Sequence, residues 1–91
     1  MTNDAAETLA LQSLAWLAGD DDLLAGFLAQ TGTHPAELRS RAGDRDMLAA
    51  VMAFLLAEDD RIIAAAAALG ERPETLAAAA RQLTGEVPHW T

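Results

Sequence analysis

The sequence has no cysteine, lysine or tyrosine among its 91 residues. Without cysteine the chain has no disulfide, no thiolate metal ligand and no cysteine nucleophile. Six arginines stand against fourteen carboxylates, which gives a net charge of −8. A nucleic-acid backbone or an anionic membrane is repelled by such a chain unless its arginines gather on one face. We therefore expect no membrane partner, and nucleic acid is not our first choice of partner.

Motifs of catalysis and of targeting are also missing. We find no G-x-S-x-G elbow, no glycine-rich phosphate loop and no calcium loop, and neither His34 nor His89 has a carboxylate or a second histidine four residues away. We expect no enzymatic activity, metal or cofactor. The first ten residues have neither a basic start nor an apolar core, and no uncharged stretch, 47–57 included, reaches the about 20 residues that span a membrane. We expect no signal peptide and a cytoplasmic location.

Glycine, proline and aspartate divide the chain into helical segments. Apolar residues make up 52% of the sequence, alanine alone contributes 22 residues, and no run of β-branched or aromatic residues indicates a strand. The sequence predicts one all-α domain over residues 1–91, a compact bundle of five to six helices. The predicted helices run from Asp4 to about Ala18, from Asp20–Asp22 to Gly32, from Pro35 to Gly43, from Arg45 to Ala57, from Asp59 to Gly70 and from Pro73 to about Leu83.

A repeat emerges when the chain is shifted by 38 positions along itself. Trp16 then meets Phe54, and the two sets of caps and stops coincide. The repeat predicts two similar three-helix halves, about 7–46 and 45–84, followed by a tail at 85–91. The matched positions that carry it are Asp21, Asp22, Gly32, Pro35 and Leu38 with Asp59, Asp60, Gly70, Pro73 and Leu76.

The first and fourth helices are apolar on two sides, which is typical of central helices. We expect these two helices to pair in the core, with the second and fifth packed around them. In the first helix the predicted core stripe is Leu11, Leu14, Leu17 and Ala18, and Leu9 and Trp16 lie on the other side. In the fourth helix one side is formed by Leu48, Val51, Met52 and Leu55, and the other side is formed by Met47 and Phe54.

Two aromatic positions and one histidine are candidate partner contacts: Trp16, His89 and Trp90. A tryptophan next to the chain end is costly to leave in water. We expect Trp90 to pack against the first helix near Leu9 and Trp16, and the alternative is that it serves a partner.

Acidic clusters occur at 20–22 and 58–60, each at a helix start. Carboxylates there cap free N–H groups and complement the helix dipole. Binding of a divalent cation is the alternative, and it has less support because the spacing of a calcium loop is missing.

The spacing of a turn glycine and a following leucine is compatible with a helix-turn-helix at Gly32–Leu38 and again at Gly70–Leu76. The nucleic-acid contacts of such a protein would be Arg39, Arg41 and Arg45. The helix after Pro73 carries little that could read bases, so we favour a structural role for both turns.

The pattern resembles a family of short bacterial all-helical proteins catalogued only as a domain of unknown function. The resemblance covers nearly the whole chain and implies an all-helical fold without supplying an activity. The residues that carry it are Ala10-Leu11, Leu14 through Asp20, Phe27-Leu28, Thr31-Gly32, Pro35, Leu38-Arg39, Phe54-Leu55-Leu56 and His89-Trp90.

The sequence favours a small non-catalytic module that acts through protein contacts or in regulation. Helices that are apolar on two sides support this hypothesis, and a homodimer is one form of it. The alternatives are a helix-turn-helix-like nucleic-acid-binding protein and an accessory subunit of an enzyme.

Overall fold

The computed structural model of the protein describes residues 1–85. Over this range the chain forms six helices and no strand, which confirms the predicted all-α bundle. The helices are α1 (Asn3–Ala18), α2 (Asp21–Thr31), α3 (Pro35–Ser40), α4 (Arg45–Leu56), α5 (Asp59–Leu69) and α6 (Pro73–Thr84). Within residues 1–85, no helix is long and apolar enough to cross a membrane.

Side-chain caps fix the starts of α1 and α2. The Thr2 hydroxyl accepts a hydrogen bond from the N–H of Ala5 at 3.1 Å. Helix α1 therefore begins at Asn3, one residue before the predicted start at Asp4. The Thr2 hydroxyl, which lies just before the first turn, satisfies one of the free N–H groups there. Asp20 caps α2 as predicted, since its carboxylate accepts from the N–H groups of Asp22 and Leu23.

Glycine ends α2 and α5 in the same way. Gly32 and Gly70 both adopt the left-handed conformation with φ of 70°, which costs other L-residues free energy. Both predicted stops are confirmed. The third helix is shorter than predicted, because it ends at Ser40 rather than at Gly43.

Helix α4 lies at the centre of the bundle, as predicted from its two apolar sides. All six of its predicted apolar positions are buried: Met47, Leu48, Val51, Met52, Phe54 and Leu55. Helices α1 and α4 pack on each other as predicted, but α4 has a further partner. Helices α4 and α6 form the most extensive helix contact within residues 1–85, and α6 also packs along α1. The predicted α1–α4 core thus has a third member, because the small side chains of α6 let it approach both helices closely.

The predicted core stripe of α1 is wrong in part. Leu14 and Leu17 are buried, but Leu11 is 49% exposed and Leu9 lies in the core. The buried face also contains Ser13, whose hydroxyl donates to the carbonyl oxygen of Leu9 at 2.8 Å. Because this hydrogen bond satisfies the hydroxyl, the side chain of Ser13 can lie in the core. The buried face of α1 therefore includes Ser13 and excludes Leu11.

Two phenylalanines and an arginine attach α2 to the rest of the bundle. The rings of Phe27 and Phe54 meet edge to face with centroids 5.6 Å apart. The guanidinium of Arg61 lies 3.9 Å from the centroid of Phe54, donates to the Phe54 carbonyl oxygen and pairs with Glu58 at 2.7 Å. These contacts join α2, α4 and α5.

Candidate functional site

An open apolar groove runs between α1 and α3. Its volume is about 290 Å³, and we call it the α1–α3 groove. The residues that line it are Leu11, Leu14, Ala15, Ala18, Leu38, Arg39 and Ala42.

The groove follows from the helical periodicity of α1. Leu11, Ala15 and Ala18 are spaced by four and three residues, so they form one row along the helix. This row is exposed because the buried face of α1 is centred on Ala10, Ser13 and Leu17.

Helix α3 forms the second wall of the groove. It begins at Pro35, after the extended residue His34, and ends after six residues. Leu38 is its only buried residue, and the helix makes only marginal contact with the other described helices. The space between α1 and α3 therefore stays open.

A second depression adjoins the groove and shares Leu11 with it. Its volume is about 300 Å³, and its lining includes the carboxylates of Asp4 and Glu7. We call it the acidic end. The other residues that line it are Thr8, Gly43 and Leu48.

The three candidate nucleic-acid arginines have different surroundings. Arg39 is exposed and lines the α1–α3 groove. Arg41 donates to Asp44 at 3.0 Å and to Glu37 at 3.4 Å, and the hydrogen bond to Asp44 raises the pKa of its guanidinium. Arg45 is exposed at the start of α4. Arg41 thus holds the corner between α3 and α4, with its charge balanced by two carboxylates.

Among the candidate partner contacts, Trp16 lines a neighbouring depression that shares Ala15 with the groove, and the other two lie outside the described residues. Trp16 is half-buried and lines a shallow depression of about 520 Å³ with residues of α1 and α5. His89 and Trp90 fall outside residues 1–85. The predicted packing of Trp90 on α1 also lies outside that range, but one of its two expected neighbours, Leu9, is buried in the core.

The acidic clusters occupy helix starts. Asp20 is a cap, and Asp21, Asp22, Asp59 and Asp60 lie in the first turns of α2 and α5. Glu58 makes no side-chain cap and pairs instead with Arg61. In the part of the chain that the structure describes, no group of three or more carboxylate or histidine side chains is placed to hold a metal ion.

The sequence alone did not indicate Leu11, Leu38 or Ala42 as candidate site residues. The row Leu11, Ala15, Ala18 is visible in the sequence as an apolar stripe of helical spacing. That it faces an open groove follows only from the shortness of α3.

Comparison with known proteins identifies the family of this chain. Residues 3–86 match the family described as protein of unknown function (DUF3572), and the chain belongs to that family. No curated protein and no solved structure matches the chain.

Proposed function

We propose that this member of the DUF3572 family is a non-catalytic protein-interaction module that binds its partner through the α1–α3 groove. The observation that carries the proposal is the exposure of Leu11 beside an open apolar groove. Leu11 and Ile63 are the helical residues with large apolar side chains that are exposed within residues 1–85. An exposed apolar surface with a groove is typical of sites that bind a partner segment.

The size of the groove suits a short segment rather than a flat domain surface. From Leu11 to Ala18 the row on α1 spans seven residues, or about 10 Å of helix. Two turns of a partner helix cover that length. Partner helices that bind in grooves carry apolar side chains one to two turns apart, which matches this length.

The proposal also includes the absence of catalysis and a cytoplasmic location, both of which rest on the sequence. The nucleic-acid alternative loses support from Arg41, because two carboxylates already balance its charge. A homodimer through the groove is the other form of protein contact, and the charge of −8 on each copy opposes it.

Site-specific photo-crosslinking in the native host tests the proposal. A photoreactive amino acid replaces Leu11 in one variant and Ile63 in another, since both side chains are about half exposed on a helix. We expect the Leu11 position to give one discrete protein adduct and the Ile63 position to give none. The adduct should disappear when Ala15→Glu is added, because that carboxylate enters the groove.

Circular dichroism and thermal unfolding show whether each variant folds. Equal crosslinking from both positions, or an adduct that persists with Ala15→Glu, contradicts the proposal. Adducts with nucleic acid instead of protein support the alternative function.

A further inference from the structure

The α1–α3 groove and the acidic end lie next to each other along α1 and share Leu11, and we call the two together the trough. Asp4, Leu11 and Ala18 are each seven residues apart, so the trough is about 20 Å long. Leu11 stands at its middle because it lines both depressions. One half of the trough is apolar and the other half is acidic.

The carboxylates of the acidic end are available to an external cation. Asp4 is exposed and Glu7 is half-exposed. The ion pairs within residues 1–85 join Arg41, Arg61 and Arg72 to other carboxylates. No arginine lines the acidic end in the described part of the chain.

We infer that the occupant of the trough is an amphipathic helical segment of another protein, with apolar anchors at one end and lysine or arginine at the other. This inference rests on the function proposed above. Two apolar side chains one turn apart occupy the apolar half beside Leu14 and Leu38. The cations follow about seven residues further along, which places them about 10 Å away, at Asp4 and Glu7.

The composition of this chain argues against its own segments as occupants. Residues 86–91 contain neither lysine nor arginine, so they offer no strong cation to the acidic end. The densest arginine cluster of a second copy is 39–45, and Arg39 in that cluster is already part of the groove wall. A basic amphipathic segment of another protein can place apolar side chains in the apolar half and cations at the acidic end.

A peptide titration tests the inference. The probe is a labelled alanine-based helix of about sixteen residues, long enough to cover the trough, with two leucines one turn apart and two arginines seven residues beyond them. A second peptide carries glutamate in place of both arginines. Fluorescence polarisation measures binding of each peptide to the full chain.

Charge-neutralised variants locate the bound cation. The variant is Asp4→Asn with Glu7→Gln. Its control is Asp59→Asn with Asp60→Asn, which removes the same charge from the first turn of another helix. We expect the first pair to weaken binding of the arginine peptide about tenfold, as the loss of two exposed ion pairs implies. The control should weaken it less than twofold.

Equal weakening by the two pairs, or equal affinity for the arginine and glutamate peptides, overturns the inference. If neither peptide binds while Leu11 still crosslinks to a protein, the inference fails and the proposed function stands. If Leu11 captures nothing, both fail.

Two further measurements test the rival occupants. Sedimentation of the full chain should show a monomer, and a dimer that Leu11→Gln dissociates would overturn the inference in favour of a second copy. Trp90→Ala should leave the affinity for the arginine peptide within twofold. A tenfold gain would identify the chain's own end as the occupant.

Discussion

The α1–α3 pair and the α4–α6 pair begin from the same sequence pattern and end in different packing. In both, a left-handed glycine lies three residues before the proline that begins a helix, and Leu38 and Leu76 occupy positions 38 residues apart. Leu76 is fully buried in a helix of twelve residues that packs on α4. Leu38 lies in a helix of six residues, beside an open groove.

Helix length accounts for the difference. Helix α6 continues through four alanines, and its buried face includes Ala79, Ala80 and Leu83. Helix α3 ends at Ser40, where Arg41 turns to bond Glu37 and Asp44. A helix of less than two turns cannot cover α1, and the groove is the result.

Truncating the two leucines should give the largest difference between the pairs. We expect Leu76→Ala to lower the free energy of unfolding by about 3 to 5 kcal/mol, because it leaves a cavity in a closed core. Leu38→Ala should cost about 2 kcal/mol, since water already reaches the groove beside it. Urea unfolding of both variants measures the difference, and equal losses would mean that the α1–α3 groove is as closed as the α4–α6 contact.

The two stop glycines should behave alike. Gly32→Ala and Gly70→Ala each force alanine into a left-handed conformation, and a Cβ added at either site meets nothing within 4 Å. Only backbone strain remains, so each substitution should cost about 1 to 2 kcal/mol. Thermal unfolding should show a fall of about 4 to 8 °C per kcal/mol. Costs that differ by more than about 1 kcal/mol would show that the two halves are not equivalent at their turns.

Replacing Leu11 should have the smallest effect on stability. We expect Leu11→Gln to change the free energy of unfolding by less than about 0.5 kcal/mol, because half of the side chain is already in water. Leu9→Gln is the contrasting variant in the core of the same helix and should destabilise strongly. A large loss with Leu11→Gln would assign Leu11 to the core and remove its role as a contact.

The sequence predicted the features that local chemistry decides. The stops at Gly32 and Gly70 and the cap at Asp20 depend on a few neighbouring residues, and the structure has them where expected. The six apolar positions of α4 were also correct, because a helix that is apolar on two sides has few places to lie.

The rotation of α1 and the place of α6 depend on packing between distant residues. A serine is usually expected at the surface, but the hydroxyl of Ser13 bonds to the carbonyl oxygen of Leu9 within the same helix. Its burial therefore could not be predicted from its polarity. The alanines of α6 favour a helix without indicating which face is covered. The groove depends on both helices and could not be read from either sequence segment alone. Whether the two halves superpose as a repeat stays a prediction.

The central claim is that the first half offers a binding groove between α1 and α3, whereas the equivalent place between α4 and α6 is closed by packing. Amide chemical shifts of the isotope-labelled full chain, recorded while the arginine peptide is added, test it most directly. We predict shifts at Leu11, Ala15, Ala18 and Leu38 and at the acidic end, with none at Ala49, Ala53, Leu56 and Leu76, the residues 38 positions further on. Shifts at this second set, or shifts spread evenly over the surface, would contradict the claim.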